Sequence, residues 1–393
     1  MKMLPDNPNI DHLRQQAKDL LAGLRDTEPT ATLTDAQSSL AEQYGFRTWR
    51  DLKAEVDRVR GHAEVADPAL AHAIAERYGL GKVTGELRSV ARPDDMGRQW
   101  SLETDQGRWA VRTMDTWWPI VDAETDFTLQ QAAAGAGVLL PAPVRSRLGG
   151  IVESVGGHSW RVYRWLHSGP PMSAPASSAA THAVGGILAT IHGLALPVDR
   201  ISPWHASRLS TVRWSALAAT ARASGADWAP ALSDVVPTLV DLDAIGVDSP
   251  APDPVLCHNT LGPGQARLGA NGRLIVVGWE HAGGQPPGWE LANALLDWTV
   301  NPGGGVNATG ARALVDGYRA RAGSLPALDL AMFRGALNSL GNYVFGQAQT
   351  ALDAHGDEDR WYADRSVRHL LTHLPTRTIL EQLLDAAVTP LRS

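Results

Sequence analysis

A block of period-two segments inside an otherwise helical chain constrains the fold of this sequence more than any other feature. Between residues 85 and 166, short segments place every second side chain on one mostly apolar face, as with Trp100, Leu102 and Thr104. Beyond the Pro/Ser/Gly-rich stretch at 167–181, most segments repeat apolar residues every three or four positions. We therefore expect an α+β architecture, with an antiparallel sheet followed by a helical half.

The period-two block predicts several strands and one helix. A helical pattern at 122–137 interrupts the strands and stops at Gly137. The predicted strands span residues 85–91, 98–105, 108–114, 149–155 and 159–166. Because turn-forming residues separate neighbouring strands, we expect one antiparallel sheet with a single inserted helix.

Three helical patterns precede the sheet, at residues 9–25, 34–45 and 48–59. No group of polar side chains converges within them, so we expect a docking or packing module rather than a catalytic one. The predicted domains are an N-terminal helical module at 1–62, a sheet-rich lobe at 63–167 and a mostly helical lobe at 168–393.

Three segments of the helical half share an ordered pattern with a known family. They read GGILATIHGLALP at 185–197, LCHNTLGPGQARLGANGRLIVVGWEHAG at 256–283 and PPGWELANALLDW at 286–298. In this order they resemble the aminoglycoside phosphotransferase family of small-molecule kinases, and the resemblance extends over residues 65–393. It implies a bilobal protein-kinase-like fold, to which the three-helix module is a small N-terminal extension.

The three positions that carry the chemistry in that family differ in this chain. The family loop reads H-x-D-x-x-x-x-N, and a second Asp precedes a Trp on the next strand. The resemblance implies that the first Asp takes the substrate hydroxyl proton, while the Asn and the second Asp hold Mg²⁺. Thr260, Gln265 and Gly278 stand at these positions, although the residues that flank them are retained. A threonine is not a base near neutral pH and a glycine supplies no ligand, so we expect no kinase activity.

The nucleotide-binding positions also depart from the family. Arg112 stands where a strand lysine is expected, and Asp126 aligns with the glutamate that pairs with that lysine. The turn that would cover the phosphates has one glycine, Gly97, beside Asp94 and Asp95. One such carboxylate ~4 Å from a phosphate charge costs about 4 kcal/mol at an effective dielectric constant of about 20. We therefore expect no bound cofactor, and ATP with Mg²⁺ only if the chain is a working kinase.

Other residues near the loop have two interpretations each. Glu280 could ligate a metal or act as an acid or base, but we favour a hydrogen bond within the hairpin. His258 could transfer a proton, whereas the family implies a structural bond to backbone. Cys257 lies in an apolar predicted strand, so we expect its thiol to be buried and unreactive. Five residues could line a substrate pocket: Trp160, Trp165, Trp279, His281 and Asp297. For the tryptophans the alternative is core packing, and for the aspartate it is a bracing role.

The composition limits the class of partner. A net charge of −7 and a pI near 6.0 predict no basic surface for nucleic acid. The single cysteine excludes a disulfide framework, and no apolar run approaches the roughly 18 residues of a membrane span. We expect a cytoplasmic protein whose partner is a small molecule or another protein.

Three functions from different classes follow. The first is a pseudokinase, which binds a small molecule or a protein partner without phosphoryl transfer. The second is an atypical working ATP-dependent phosphotransferase, in which Gln265 and Glu280 ligate the metal. The third is a kinase fold recruited for a different reaction in secondary metabolism, with His258, Glu280 or His281 as the reacting group. We favour the first, because all three reacting positions are altered together while their flanks are kept.

Overall fold

A computed structural model describes residues 2–388 of the 393-residue chain, except 62, 95–96, 115–119, 208, 210 and 355. A helical module comes first, a sheet-rich lobe second and a mostly helical lobe last. This order confirms the α+β architecture expected from the two periodicities. Among the described helices, none is both long and apolar enough to cross a membrane.

The N-terminal module folds around a small core of its own. Leu20, Leu40 and Leu52 come from its three helices and are fully buried against one another. Thr48 accepts a hydrogen bond from the Asp51 amide and so caps the third helix. The helices are α1 (Ile10–Arg25), α2 (Leu33–Gln43) and α3 (Trp49–Val59).

One antiparallel sheet forms the body of the sheet-rich lobe. The elements are α4 (Pro68–Tyr78), β1 (Arg88–Asp94), β2 (Gly97–Thr104), β3 (Gly107–Thr113), α5 (Ala123–Gly135), β4 (Val152–Val155) and β5 (His158–Arg164). The strands lie in the order β1-β2-β3-β5-β4, so β3 and β5 are neighbours although α5 separates them in the chain. Trp100, Val111 and Val162 form part of the buried face, as their alternation predicts.

Helices surround short strand pairings in the last lobe. Its elements are β6 (Ser168–Pro171), α6 (Ser178–Gly193), α7 (Pro203–Ala206), α8 (Thr211–Ala223), α9 (Ala229–Asp243), β7 (Val255–Cys257), β8 (Ala266–Gly269), β9 (Leu274–Val276), β10 (Gly283–Gln285), α10 (Pro287–Thr299), α11 (Ala308–Ala322), α12 (Arg334–Asp353), α13 (Asp357–Thr372) and α14 (Arg377–Val388). Short 3-10 helices span Pro263–Gln265, Trp279–His281 and Leu330–Phe333. The loop that contains Thr260 and Gln265 lies between β7 and β8.

The connector between the lobes contains a strand that its sequence does not predict. β6 pairs with β8, and β8 pairs with β9, in a three-stranded sheet. The segment is rich in proline and glycine, which weaken strands, so its own propensity does not favour this conformation. β6 forms because β8 supplies a partner from almost 100 residues further along the chain.

The N-terminal module lies against this connector. Gln16 donates a 2.8 Å hydrogen bond to the Pro171 carbonyl oxygen, and Gln43 donates one of 2.8 Å to that of Ala174. The module is therefore attached to the segment through which the two lobes are joined.

Candidate functional site

His258 follows β7 and is fully buried. Its Nε2 lies 3.0 Å from the Val277 carbonyl oxygen, which can only accept, so this nitrogen carries the hydrogen. The ring also packs edge-on against Trp279, with 4.8 Å between ring centroids. Burial lowers the pKa of His258 and so favours the neutral imidazole. These contacts are those of a brace between two strands.

Asn259 is held by a carboxylate beneath the loop. The residue has a positive φ of 70°, a conformation that asparagine tolerates better than most residues. Its amide nitrogen lies 2.5 Å from Glu290 Oε1, and its Nδ2 donates to the His281 carbonyl oxygen at 3.0 Å. Glu290 Oε2 is 2.7 Å from His192 Nε2. The loop backbone is thus fixed to α10 and α6.

His192, Cys257 and Glu290 bring potential metal-ligand atoms within 4.8 Å of one another. These atoms already have protein partners. His192 bonds Glu290 through Nε2 and lies 2.9 Å from the Tyr318 hydroxyl through Nδ1, and the Cys257 thiol donates to the Gln285 carbonyl oxygen at 3.3 Å. Burial raises the pKa of Cys257 well above its usual range. This group therefore fits a hydrogen-bonded support for the loop.

Thr260 stands at the position of the family base and is half-buried. Its amide donates to His258 Nδ1 at 3.3 Å, and its Oγ1 lies 3.5 Å from the same atom. Since Nε2 carries a hydrogen and Nδ1 accepts the amide, the imidazole has no free lone pair with which to activate the hydroxyl. The pair fits loop bracing better than proton transfer.

Gln265 and Gly278, the two positions that hold metal in the family, are in contact. Gly278 has a φ of 80° and precedes the 3-10 helix Trp279–His281. A Cβ added to Gly278 would lie 2.6 Å from Gln265 Cδ and 3.2 Å from its Cγ. The longer side chain at 265 therefore fills the space beside the Gly278 Cα that a carboxylate would need. The two departures from the family motif are complementary in shape.

Glu280, two residues after Gly278, forms a hydrogen bond with a residue of the sheet-rich lobe. The residue is 5% exposed, and its Oε1 accepts a 2.6 Å hydrogen bond from the Tyr163 hydroxyl on β5. Burial alone would raise the pKa of Glu280, but the charges of Arg112 and Arg161, together with that hydroxyl, lower it to about 2. Glu280 is thus a buried carboxylate with a partner in the other lobe, where we expected a bond within its own hairpin.

The bidentate ion pair of Asp126 forms with Arg161 rather than with Arg112, the partner that the family alignment suggests. Arg161 Nη1 and Nη2 lie 2.7 and 2.5 Å from the two carboxylate oxygens, and Gln130 donates to one of them at 2.8 Å. Arg112 lies directly opposite Arg161 in the β3–β5 register, so both guanidinium groups leave the same face of the sheet. Neither the family alignment nor the spacing of residues predicts that Asp126, on α5, pairs with Arg161.

The predicted aromatic pocket residues are placed differently from one another. Trp279 is 1% exposed in the main core, and its Nε1 donates to the Val276 carbonyl oxygen at 3.0 Å. Trp160 is 1% exposed in the core of the sheet-rich lobe. Trp165 is half-buried and its ring lies 3.8 Å from the Arg108 guanidinium carbon. Two of these rings are therefore core, and the third is covered by a cation.

The two polar pocket candidates, His281 and Asp297, lie beside the loop. His281 is half-buried and accepts the Asn259 side-chain amide through its carbonyl oxygen. A Cβ on Gly262 would lie 3.0 Å from Asp297 Oδ2, and Asn293 donates to the same oxygen at 3.0 Å. Asp297 is exposed on α10 and lies beside Gly262 of the loop, so its bracing role stays a prediction.

Arg161 and Tyr163 are not among the predicted site residues, although they alternate on β5 and so share a face. The sequence feature that could have identified this face is a charged residue, Arg161, at the centre of a strand whose central residues are otherwise uncharged. Of the two aspartates predicted to repel phosphate, Asp94 ends β1, and Asp95 lies outside the described residues.

Two family profiles match parts of the chain. Residues 90–323, more than half of the chain, match the profile described as "Phosphotransferase enzyme family". Residues 3–108 match a second profile, described as "Glyoxalase superfamily protein". A homoserine kinase of Acidiphilium cryptum (strain JF-5) is 24% identical over 261 residues, which cover 66% of this chain and 78% of the relative.

Solved structures share the overall architecture. A spectinomycin phosphotransferase in complex with ADP and spectinomycin has a TM-score of 0.55 at 13% identity, covering 82% of this chain and 98% of its own. An amicoumacin kinase in complex with AMP-PNP, Ca²⁺ and Ami has a TM-score of 0.53 at 11% identity, covering 83% and 96%. At these identities the likeness concerns the fold alone, and it confirms the bilobal kinase-like arrangement.

Proposed function

We propose that this chain, which belongs to the phosphotransferase enzyme family, is a member that does not transfer phosphate. Its role is then to bind a small molecule or a protein partner on a kinase-like body. The proposal concerns the activity of the site, because family and fold do not by themselves establish catalysis.

The contact between Gln265 and Gly278 carries the proposal. Phosphoryl transfer requires a divalent cation at the transferred group, and Mg²⁺ prefers carboxylate oxygens. Position 278 has no side chain, and the 265 side chain occupies the space beside it. Position 260 offers a hydroxyl in place of a carboxylate base. Positions 265 and 278 are therefore poor ligands for Mg²⁺, and position 260 is a poor base for the proton of an alcohol.

The main alternative is an atypical working phosphotransferase. Relatives named as kinases favour it. It requires Gln265 and Glu280 to ligate the metal, and Glu280 would have to leave the Tyr163 hydroxyl and two arginine charges to do so. A fold recruited for another reaction has less support, because His258 is braced through both ring nitrogens.

A titration with Mg²⁺·ATP tests the proposal on the unmodified protein. A ligand that binds the folded state raises the melting temperature by mass action. We expect no melting shift with millimolar ATP plus Mg²⁺ beyond that produced by the same concentrations of MgCl₂ and salt. A magnesium-dependent shift that saturates would count strongly against the proposal.

A product assay tests the same point independently of affinity. The protein would be incubated with ATP labelled in the γ-phosphate, Mg²⁺ and a panel of alcohols that includes homoserine and spectinomycin, the compounds named for its relatives. We expect no labelled product and no ATP hydrolysis above a heat-inactivated control. A phosphorylated product from the unmodified chain would overturn the proposal.

A further inference from the structure

The N-terminal segment at residues 2–8, which precedes α1, contacts both lobes. The Lys2 Nζ donates a 2.8 Å hydrogen bond to the carbonyl oxygen of Met172, which directly follows β6 in the helical lobe. The Asp6 carboxylate accepts a hydrogen bond from the Ser89 hydroxyl on β1 of the sheet-rich lobe. We propose that this segment, the strap, holds the β1 side of the sheet-rich lobe to the helical lobe and so restricts the rotation of one lobe against the other.

One end of the strap is anchored to the helical lobe through the N-terminal module. The Lys2 amide donates to the Gln43 carbonyl oxygen at 2.7 Å, so the strap lies against the end of α2. Gln43 and Gln16 in turn donate to the connector. Asp26, at the end of α1, accepts the Ser178 amide at 2.7 Å, where α6 begins. A force on the strap is therefore transmitted to the helical lobe at several points.

The other end is attached to the first strand of the sheet by side chain and by backbone. Ser89 is 3% exposed, so the Asp6 carboxylate receives a charge-assisted hydrogen bond from a buried hydroxyl. The chain that leaves the module returns to the same strand. The Glu64 carbonyl oxygen accepts the Ser89 amide at 2.8 Å, and the Ala66 amide donates to the Leu87 carbonyl oxygen at 2.9 Å. The start of β1 is thus held by the strap and by the linker after α3.

Other bonds between the lobes lie on the β5 side of the sheet. The connector leaves from β5, and Tyr163 of β5 donates to Glu280. The Val276 amide of β9 donates to the Leu139 carbonyl oxygen at 2.8 Å, and the segment that contains Leu139 goes on to bond β5 through the Val144 amide. A rotation about these bonds would carry β1 with it, and the strap opposes that movement.

The position of β1 gives the strap leverage. β1 and β5 are three strand spacings apart in the order β1-β2-β3-β5. At about 4.8 Å per spacing, the two sides of the sheet are about 14 Å apart. A rotation of roughly 15° about an axis along β5 would move β1 by about 4 Å, and a hydrogen bond does not survive such a displacement. With the strap in place the lobes are held at two separated points, whereas attachment on one side alone would act as a hinge.

Distance measurement between the lobes tests the strap on the full-length chain. Spin labels would be attached at Glu86→Cys, beside β1, and Ala320→Cys, on α11, both at exposed positions. The native Cys257 is 0% exposed and stays unlabelled. With the strap intact we expect double electron–electron resonance to give one narrow distance distribution. Asp6→Ala should widen that distribution, or shift its mean, by about 4 Å.

Matched variants separate the strap from a general effect of charge. Ser89→Ala removes the same hydrogen bond from the other partner and should give the same change, and it serves as the test if Asp6→Ala does not fold. Asp11→Ala removes an exposed carboxylate that pairs with Arg14 on its own helix, and should leave the distribution unchanged. Melting curves would confirm that each variant is folded.

Three results would overturn the proposal: a broad distribution in the labelled parent, an unchanged distribution in the folded variants at positions 6 and 89, or equal widening by Asp11→Ala. The strap acts on the relative position of the lobes and not on the residues at 260, 265 and 278. Phosphoryl transfer by the unmodified chain would therefore refute the proposed function and leave the strap standing.

Discussion

His205, on α7, shows how a single buried side chain should set part of the pH dependence of stability. It is 1% exposed, and its Nδ1 has no hydrogen-bond partner among the described residues. Burial lowers the pKa of His205 to about 4, from 6.5. Between these values the unfolded chain binds a proton that the folded protein does not, so stability falls as pH falls. The loss between pH 7 and pH 5 is about 2 kcal/mol.

His205→Gln should remove that contribution. We expect the free energy of unfolding of the variant, from urea denaturation, to change by about 2 kcal/mol less between pH 7 and pH 5 than that of the unmodified protein. His12→Gln, on an exposed face of α1, is the control for the His→Gln change itself. Equal slopes for His205→Gln and the unmodified protein would show that the imidazole titrates normally.

Residues whose type departs from a motif can be identified from the sequence, whereas their tertiary contacts cannot. Thr260, Gln265 and Gly278 are identifiable because the positions around them match the family. Tyr163 and Arg161 match no motif, and their importance depends on a partner from a distant segment. The roles assigned to Arg112, Trp165, His281 and Asp297 stay predictions, because location alone does not establish a function.

At the scale of elements, the loop and the β8–β9 hairpin are coupled through Gln265 and Gly278. Gly278→Asp should displace the Gln265 side chain, whose terminal atoms occupy the space of the new Cβ. We expect a destabilisation about 1 kcal/mol greater than that of a Gly→Asp change at an open position, since overpacking costs about 1–3 kcal/mol and a flexible side chain can move. Adding Gln265→Asn, which shortens that side chain, should recover most of the difference.

Gly272→Asp is the matched control for this cycle. Gly272 lies in the turn of the same hairpin with a φ of 74°, and a Cβ there would meet no atom within 4 Å. Urea denaturation of both single variants, of Gln265→Asn and of the double variant gives the coupling energy directly. Additive effects of the two changes at 265 and 278 would contradict the contact.

Elements with strong periodicity are predictable, and elements that depend on a remote partner are not. The five strands of the sheet and α5 follow from alternation and turn residues, since each side-chain pattern is local. The sequence of β6 predicts a connector, because Gly169, Pro170 and Pro171 disfavour a strand. Its conformation is set by pairing with β8, which no local pattern reveals.

At the scale of the whole molecule, the N-terminal module should be a fixed part of the body rather than a tethered domain. Gly23 on α1 approaches the connector so closely that an added Cβ would lie 2.7 Å from the Pro175 carbonyl carbon and 2.8 Å from that of Ala176. Both are backbone atoms, which cannot move aside easily. We expect Gly23→Ala to destabilise the protein by roughly 2–3 kcal/mol and to release the module to limited proteolysis.

Gly346→Ala is the control for that change. It too is a glycine within a helix, α12, but a Cβ there would meet no atom within 4 Å. Alanine in an open helix position should be neutral or stabilising by up to about 1 kcal/mol. Calorimetry would compare the variants, and equal melting temperatures would show that the module does not dock through Gly23.

The amino-acid sequence by itself determined the order of sheet and helices, the family that the loop resembles and the residue types at positions 260, 265 and 278. Each of these is encoded by side-chain type and short-range spacing, which need no partner. The domain boundaries after residues 62 and 167 stay predictions. Only the tertiary structure decided that Gln265 fills the space beside Gly278 and that Glu280 bonds Tyr163, 117 residues away. The physical reason is that a buried charge takes whichever counterion the packing of distant segments brings to it.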